Sequence, residues 1–188
     1  MRRLIAQIEK GLRLLGESFR LAHLRLRLGV KALPGAQSIG SGVRMSVTDG
    51  GTLRIGQGSA VEAVATVKVK FGTLEIGPRS FIGQGSVIVA RNSIRIGCDA
   101  LIGEYVTIRD QDHAFGEPLP TALNGYVTEA IQIGDNVWLG AKVTVLKGVT
   151  IGNNVVIGAN SVVTSDIPAN SIAVGIPARV IRTIRETP

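Results

Sequence analysis

From Ile133 onward, aliphatic residues fall at every sixth position: Ile133, Leu139, Val145, Ile151, Ile157 and Val163. Gly134, Gly140, Gly152 and Gly158 directly follow four of them. Four residues after each aliphatic stands Val137, Val143, Val149, Val155, Ser161 or Ile167, small or β-branched almost throughout. A helix repeats near 3.6 residues and a half-buried strand near 2, so neither accounts for this register. Upstream the same pattern runs with phase slips, as Ile76, Ile82 and Ile88, and then as Ile96, Ile102 and Ile108. A longer marker recurs as Leu53-Arg54-Ile55-Gly56, Leu74-Glu75-Ile76-Gly77, Ile94-Arg95-Ile96-Gly97 and Ile131-Gln132-Ile133-Gly134. Successive markers start 21, 20 and 37 residues apart, and the last interval holds one regular turn plus an inserted loop.

Three hexapeptides close one triangular coil, and each short strand pairs in parallel with its equivalent roughly 4.8 Å away in the next coil. The aliphatics then point inward and stack on one another, a quasi-one-dimensional core. Asp135-Asn136, Asn153-Asn154 and Ala159-Asn160 fall between strands, where Asn and Asp tolerate turn conformations. The expectation is an all-β chain. A parallel β-helix fills residues 34–188, with an inserted loop at about 110–130 and a C-terminal tail at about 169–188. Residues 1–33 form a separate N-terminal segment. There Ile8, Leu12, Leu15, Phe19, Ala22 and Leu26 recur at helical spacing among arginines, which predicts a basic amphipathic α-helix.

Composition fits a thin, regular stack: 45% of residues are hydrophobic but only 4% aromatic, and 24 are glycine. Charge is uneven. Residues 1–33 hold eight Lys/Arg against Glu9 and Glu17, a balance of +6, whereas the remaining chain holds thirteen basic and twelve acidic groups, a balance of +1. The high pI therefore belongs to a basic leader on a nearly neutral body, and no nucleic-acid partner is expected. Cys98 is the only cysteine, so no intrachain disulfide forms, and its expected role is that of a small buried hydrophobe. No apolar run reaches spanning length and no signal peptide is recognisable, so a cytoplasmic location is expected. The leader would either cap the open first coil or attach to the inner face of the plasma membrane.

The segments Ile133-Gly134-Asp135-Asn136-Val137-Trp138-Leu139-Gly140 and Ile157-Gly158-Ala159-Asn160-Ser161-Val162-Val163-Thr164-Ser165-Asp166-Ile167-Pro168 resemble the hexapeptide-repeat acyltransferase superfamily. So does the closing Val174-Gly175-Ile176-Pro177-Ala178-Arg179-Val180-Ile181. The resemblance covers roughly residues 35–185. It implies a left-handed prism, a homotrimer and acetyl-CoA as co-substrate, lying in the groove between adjacent prisms.

Two histidines occur. His23 lies in the leader, where a solvated helix residue is the expectation. His113 ends Val106-Thr107-Ile108-Arg109-Asp110-Gln111-Asp112-His113, where the repeat stops and the loop begins. A sugar hydroxyl is a poor nucleophile at neutral pH, and a histidine there can take its proton and return it to a leaving thiolate. Asp110, Asp112 or a backbone carbonyl would fix its tautomer. By resemblance to galactoside and maltose acetyltransferases, the Ala141 N–H would hold the oxyanion. Ala159, Thr164 and Ser165 would contact the pantetheine arm, and Arg179 and Arg182 would face the adenosine phosphates. Trp138 would either pack the prism or wall the acceptor or pantetheine channel, and Tyr126, with Pro118 and Pro120, would shape the acceptor side.

Departures narrow the substrate. The galactoside and maltose enzymes carry an asparagine where this chain has Gly83, an acidic residue near Arg91, and a Gly-Glu-x-Tyr helical segment that is absent here. Ser165 stands where relatives often carry Lys. The chain looks more like the acetyltransferases of capsule, exopolysaccharide and lipopolysaccharide assembly, acting on a small-molecule or lipid-linked sugar. The amino-sugar N-acyltransferases are the alternative, since a neutral amine attacks without a base. A non-catalytic β-helix scaffold is a second alternative. The γ-type carbonic anhydrases share the prism but need three histidines per metal, which two cannot supply, so no metal is expected.

Overall fold

The computed structural model describes residues 38–116 and 120–184, together with Gly16, residues 18–24 and Leu26 of the leader. The chain winds into a parallel β-solenoid with three faces. The first holds Ser38–Ile39, Ala60–Val61, Phe81–Ile82, Leu101–Ile102, Trp138–Leu139, Val156–Ile157 and Ser171–Gly175. The second holds Arg44–Thr48, Thr66–Lys70, Val87–Ala90, Thr107–Arg109, Thr144–Val145 and Val162–Val163. The third holds Thr52–Ile55, Thr73–Ile76, Ser93–Ile96, Ile131–Ile133 and Thr150–Ile151.

The sequence markers are the register itself. Leu53 pairs with Leu74, Leu74 with Ile94, and Ile94 with Ile131, all in parallel. Inside, Ile82, Ile102, Leu139, Ile157 and Ala173 stack on the first face with no measurable exposure. Val67, Ile88, Ile108, Val145 and Val163 do the same on the second. The phase slips lie on the second face. Its first three strands run four or five residues instead of two, and the extra length is spent at the edge where the second face turns into the third. The long insertion leaves from that same edge.

Turn chemistry follows the coil. Asn136, Asn154 and Asn160 sit at φ of 52°, 55° and 59°, in the left-handed region that asparagine tolerates best among ordinary residues. The glycine after each inward aliphatic answers a different need. A Cβ on Gly140 would lie 2.6 Å from the nitrogen of Ala159 in the next coil.

Two expectations change in detail. The segment 169–188 is not simply a tail: Ser171–Gly175 adds a parallel rung beside Val156–Ile157, and Ala178–Thr183 folds back antiparallel against it. The small side chain of Ala173 continues the inward stack, which is why the rung fits. At the other end residues 18–24 are helical. Leu24 is 7% exposed within the core cluster, Leu21 packs against that cluster, and Arg20 Nε donates to the Ile39 carbonyl at 2.9 Å. Phe19 and Leu26 stay exposed. Ile8, Leu12, Leu15 and most of the leader's basic residues lie outside the described residues, as does Pro118.

Candidate active site

Each coil has three edges. The first edge joins the first and second faces through Gly83-Gln84, Gly103-Glu104, Gly140-Ala141 and Gly158-Ala159. Among the described residues, the N–H groups of Gln84, Glu104, Ala141 and Ala159 donate to no acceptor. Their carbonyls are used: Gln84, Glu104 and Ala141 accept from Tyr105, Lys142 and Asn160 at 2.8–2.9 Å. The result is a row of backbone donors along one edge.

A groove of about 470 Å³ runs beside that row, lined by Phe81, Leu101, Trp138, Ala141 and Ala159 among others. Trp138 is 50% exposed, pairs with Leu101 and Val156, and points out of the prism. It walls the groove and does not pack the interior. An apolar wall facing unpaired amides suits an extended ligand that carries amide carbonyls along an alkyl chain.

The insertion rises from the second edge. Gln111–His113 pairs antiparallel with Tyr126–Thr128, placing His113 opposite Tyr126. Their rings lie 4.4 Å apart, tilted by 36°, and the imidazole is exposed. The root of this hairpin is clamped. Glu129 N donates to Asp110 O at 3.0 Å, Gly148 N donates to Glu129 O at 3.2 Å, and Lys147 Nζ reaches Glu129 at 2.9 Å and Asp112 at 3.7 Å. The hydrogen bond to Glu129 holds the Lys147 ammonium above the ordinary lysine range.

Both aspartates proposed to orient His113 have other work. Asp110 has no exposed surface, and its two oxygens accept from Arg91 N at 2.8 and 3.1 Å and from Asn92 N at 2.7 Å. A buried carboxylate takes the donors nearest to it, and the tight 91–92 corner supplies them. Asp112 faces Lys147 across the clamp. Their role is to fix the hairpin that carries His113.

The expected site is therefore divided. Ala141, Ala159 and Trp138 share the first-edge groove, whereas His113 and Tyr126 stand on the second edge. Thr164 and Ser165 lie exposed on that second edge too, just after Val162–Val163. Arg179 and Arg182 are exposed on the closing strand, with Arg179 Nη1 donating to the Ala178 carbonyl at 2.9 Å. The unpaired amides of Gln84 and Glu104 and the placement of Arg91 against Tyr126 escaped the sequence, because pairing across coils has no local signature. A larger cavity of about 620 Å³ lies between the leader helix and the first coil, beside Phe19, Leu24 and Met45. None of the first-edge amides lines it.

Comparison with known proteins agrees with this architecture. Residues 130–165 match the bacterial transferase hexapeptide family (six repeats). A probable acetyltransferase of Mycobacterium tuberculosis is 35% identical over 146 residues, 77% of this chain and 49% of that protein. The galactoside O-acetyltransferase of Escherichia coli is 39% identical over 114 residues, 60% of this chain and 55% of that one. The chain thus spans about half the length of the curated relatives it matches. A hexapeptide-repeat acetyltransferase of Vibrio cholerae, crystallised with acetyl coenzyme A, superposes with a TM-score of 0.67 at 27% identity, covering 90% of this chain and 79% of that one. The chain therefore carries the bacterial transferase hexapeptide repeat on a parallel β-solenoid, and over most of its length it is similar to hexapeptide-repeat acetyltransferases.

Proposed function

We propose that this chain is an acetyl-CoA-dependent O-acetyltransferase acting on a sugar hydroxyl, in the assembly of a surface polysaccharide or lipopolysaccharide. The carrying observation is the Ala141 N–H, left without an acceptor in the groove walled by Trp138. A pantetheine arm lying in that groove meets Ala159 and Ala141 in turn, and its thioester oxygen reaches the Ala141 donor. The sugar oxygen attacks the thioester carbon, and His113 takes its proton as the C–O bond forms. The negative charge moves to the former carbonyl oxygen, where the Ala141 N–H stabilises it. Collapse breaks the C–S bond, and the imidazolium gives its proton to the departing thiolate. Acetylated sugar and CoA leave, and the histidine is again neutral.

His113 and Ala141 stand on different edges of one prism, so one chain cannot supply both to one thioester. A homotrimer resolves this, with the second edge of each prism laid against the first edge of its neighbour. The exposed apolar column Leu101 and Trp138 on the first face favours such packing. Thr164 and Ser165 then reach the pantetheine from the neighbouring side, and Arg179 and Arg182 are the cations available for the adenosine phosphates. For the leader, the buried Leu24 and the Arg20 hydrogen bond favour a cap on the first coil.

The test is thiol release from acetyl-CoA with sugar and nucleotide-sugar acceptors. His113→Ala is expected to lower kcat about 10²- to 10⁴-fold, with acetyl-CoA affinity nearly unchanged. Near-normal turnover would remove His113 from the mechanism and favour an amine acceptor.

A further inference from the structure

Tyr126 has a second neighbour besides His113. The Arg91 guanidinium carbon lies 3.8 Å from the centre of its ring, within cation–π distance. The Phe71 ring is a further neighbour of Arg91, at 5.4 Å from ring centre to guanidinium carbon. Two aromatic rings thus lie within cation–π distance of the guanidinium, and one of those rings also touches the imidazole. Stacking engages the faces of a guanidinium and leaves the N–H groups along its edge free. Among the described residues those N–H groups have no hydrogen-bond acceptor and no carboxylate partner.

Among the described residues the acidic groups of this edge have other partners, Asp166 included, whose Oδ1 accepts from Thr150 N at 2.7 Å. Asp110 is buried on the backbone amides of Arg91 and Asn92, Asp112 and Glu129 share Lys147, and Asp49 faces Lys70 at 3.7 Å. Two more cations flank the position. Lys68 and Arg109 both pair with Val89, stand exposed on the second face, and have no ion-pair partner among the described residues. A fixed arginine with unused donors, placed beside the base in a cationic surround, is arranged to receive an anion.

Resting on the O-acetyltransferase reading above, we propose that the acceptor sugar carries an anionic group, a carboxylate or a phosphate, and that Arg91 binds it while His113 faces the hydroxyl to be acetylated. The contacts Arg91–Tyr126 and Tyr126–His113 in series set the spacing between the anion and the reacting oxygen. Arg91 is a specificity residue on this account. It touches the substrate away from the atoms that react.

Titration calorimetry on the full chain with glucuronate, glucose 1-phosphate and glucose tests the binding step without requiring turnover. At least one anionic probe should bind about 10- to 100-fold more tightly than glucose, the worth of a charge-assisted pair. Arg91→Gln should erase that difference, and Arg91→Lys should restore part of it, because charge returns without the stacked fork. The two anionic probes tell a carboxylate site from a phosphate site. Equal affinity for all three sugars, or a preference that survives Arg91→Gln in a variant with an unchanged melting temperature, overturns the proposal. Acetyl transfer to the same probes is scored separately. Transfer to neutral sugars that is insensitive to Arg91→Gln sinks this inference and spares the acetyltransferase reading. Anion binding lost in Arg91→Gln with no acetyl transfer to any sugar does the reverse.

Discussion

Two edges of the prism begin with the same phrase, an inward aliphatic followed by glycine, and treat the next amide in opposite ways. On the edge between the third face and the next coil's first face, that amide is closed in the three middle coils, while among the described residues Gln57 and Asn153 at its two ends leave theirs open. Pro78 has none to offer, Cys98 N donates to Asp135 Oδ1 at 2.7 Å, and Asp135 N donates to Asn153 Oδ1 at 2.8 Å. An amide ladder adds to it, with Asn136 Nδ2 on Asn154 at 2.9 Å and Asn154 Nδ2 on Asn170 at 3.0 Å. On the first edge the equivalent positions are Gln84, Glu104, Ala141 and Ala159, and their amides are open. Side chains that reach the preceding coil's amide stand on the closed edge, while alanine occupies two of the open places. The middle coils thus close these amides on one edge and leave them open along the whole of the other.

The sharpest way to break this comparison is to give the open edge the closed edge's residue. Gly140-Ala141-Lys142 repeats the geometry of Gly77-Pro78-Arg79, since Lys142 and Arg79 have φ of 60° and 57°. Ala141→Pro should therefore fold and melt close to the parent, because proline already occupies the same place in the coil. It removes one N–H. Loss of an oxyanion donor of this kind costs about 10²- to 10³-fold in kcat. Mixing it with His113→Ala sharpens the result: each mixed trimer would regain one intact site, about a quarter of the parent's sites at a random one-to-one mixture. Full activity in Ala141→Pro would show the open row to be incidental. Failure of the mixture to recover, with subunit exchange verified, would place both groups in one chain's site.

The fold was legible in the sequence because it rests on local identity. A period of six, the marker from Leu53 to Gly56 and its repeats, and the asparagines between strands each report on one coil, and stacking only multiplies them. Motif or position also singled out Ala141, Ala159 and Trp138, which share the first-edge groove, and His113 and Tyr126, which face each other on the hairpin. The work of Asp110 and Asp112 was not legible. Their partners, the 91–92 amides and Lys147, come from neighbouring coils, and a carboxylate near a histidine in sequence says nothing about which donor is nearer in space. Arg91 was visible in the sequence only as a departure from the galactoside and maltose pattern. Its aromatic neighbours, Phe71 and Tyr126, come from another coil and from the insertion.

A smaller effect is expected on the closed edge. Asn154→Ala breaks the hydrogen bonds to Asn136 and Asn170 and places alanine at a φ of 55°. Water replaces part of the lost hydrogen bonding at this exposed site, but the left-handed backbone remains unfavourable for alanine by about 1–2 kcal/mol. Urea unfolding should show a lower midpoint with an unchanged slope, and acetyl transfer at 25 °C should stay at the parent's level. A loss of kcat with no loss of stability would mean that this edge contributes to the chemistry and that the contrast between edges is false.

The smallest effect concerns the ion pair on the same closed edge. Arg79 donates to Asp99 through Nε at 2.7 Å and Nη2 at 2.6 Å, a bidentate pair with both side chains largely in solvent. The hydrogen bonds from Arg79 hold the Asp99 carboxyl below the ordinary aspartate range. A carboxyl depressed in the folded state adds stability above its unfolded pKa, and that stability is lost as pH falls through the lower, folded value. Solvent screening keeps the contribution small. Asp99→Asn should therefore melt slightly below the parent near neutral pH, and the gap should close on acidification through the aspartate range. It should also close near neutral pH in about 1 M salt, where the Debye length shrinks to about 3 Å. A gap that survives both treatments would assign Asp99 a packing role in the edge, and one that widens in acid would reverse the sign of the linkage argued here.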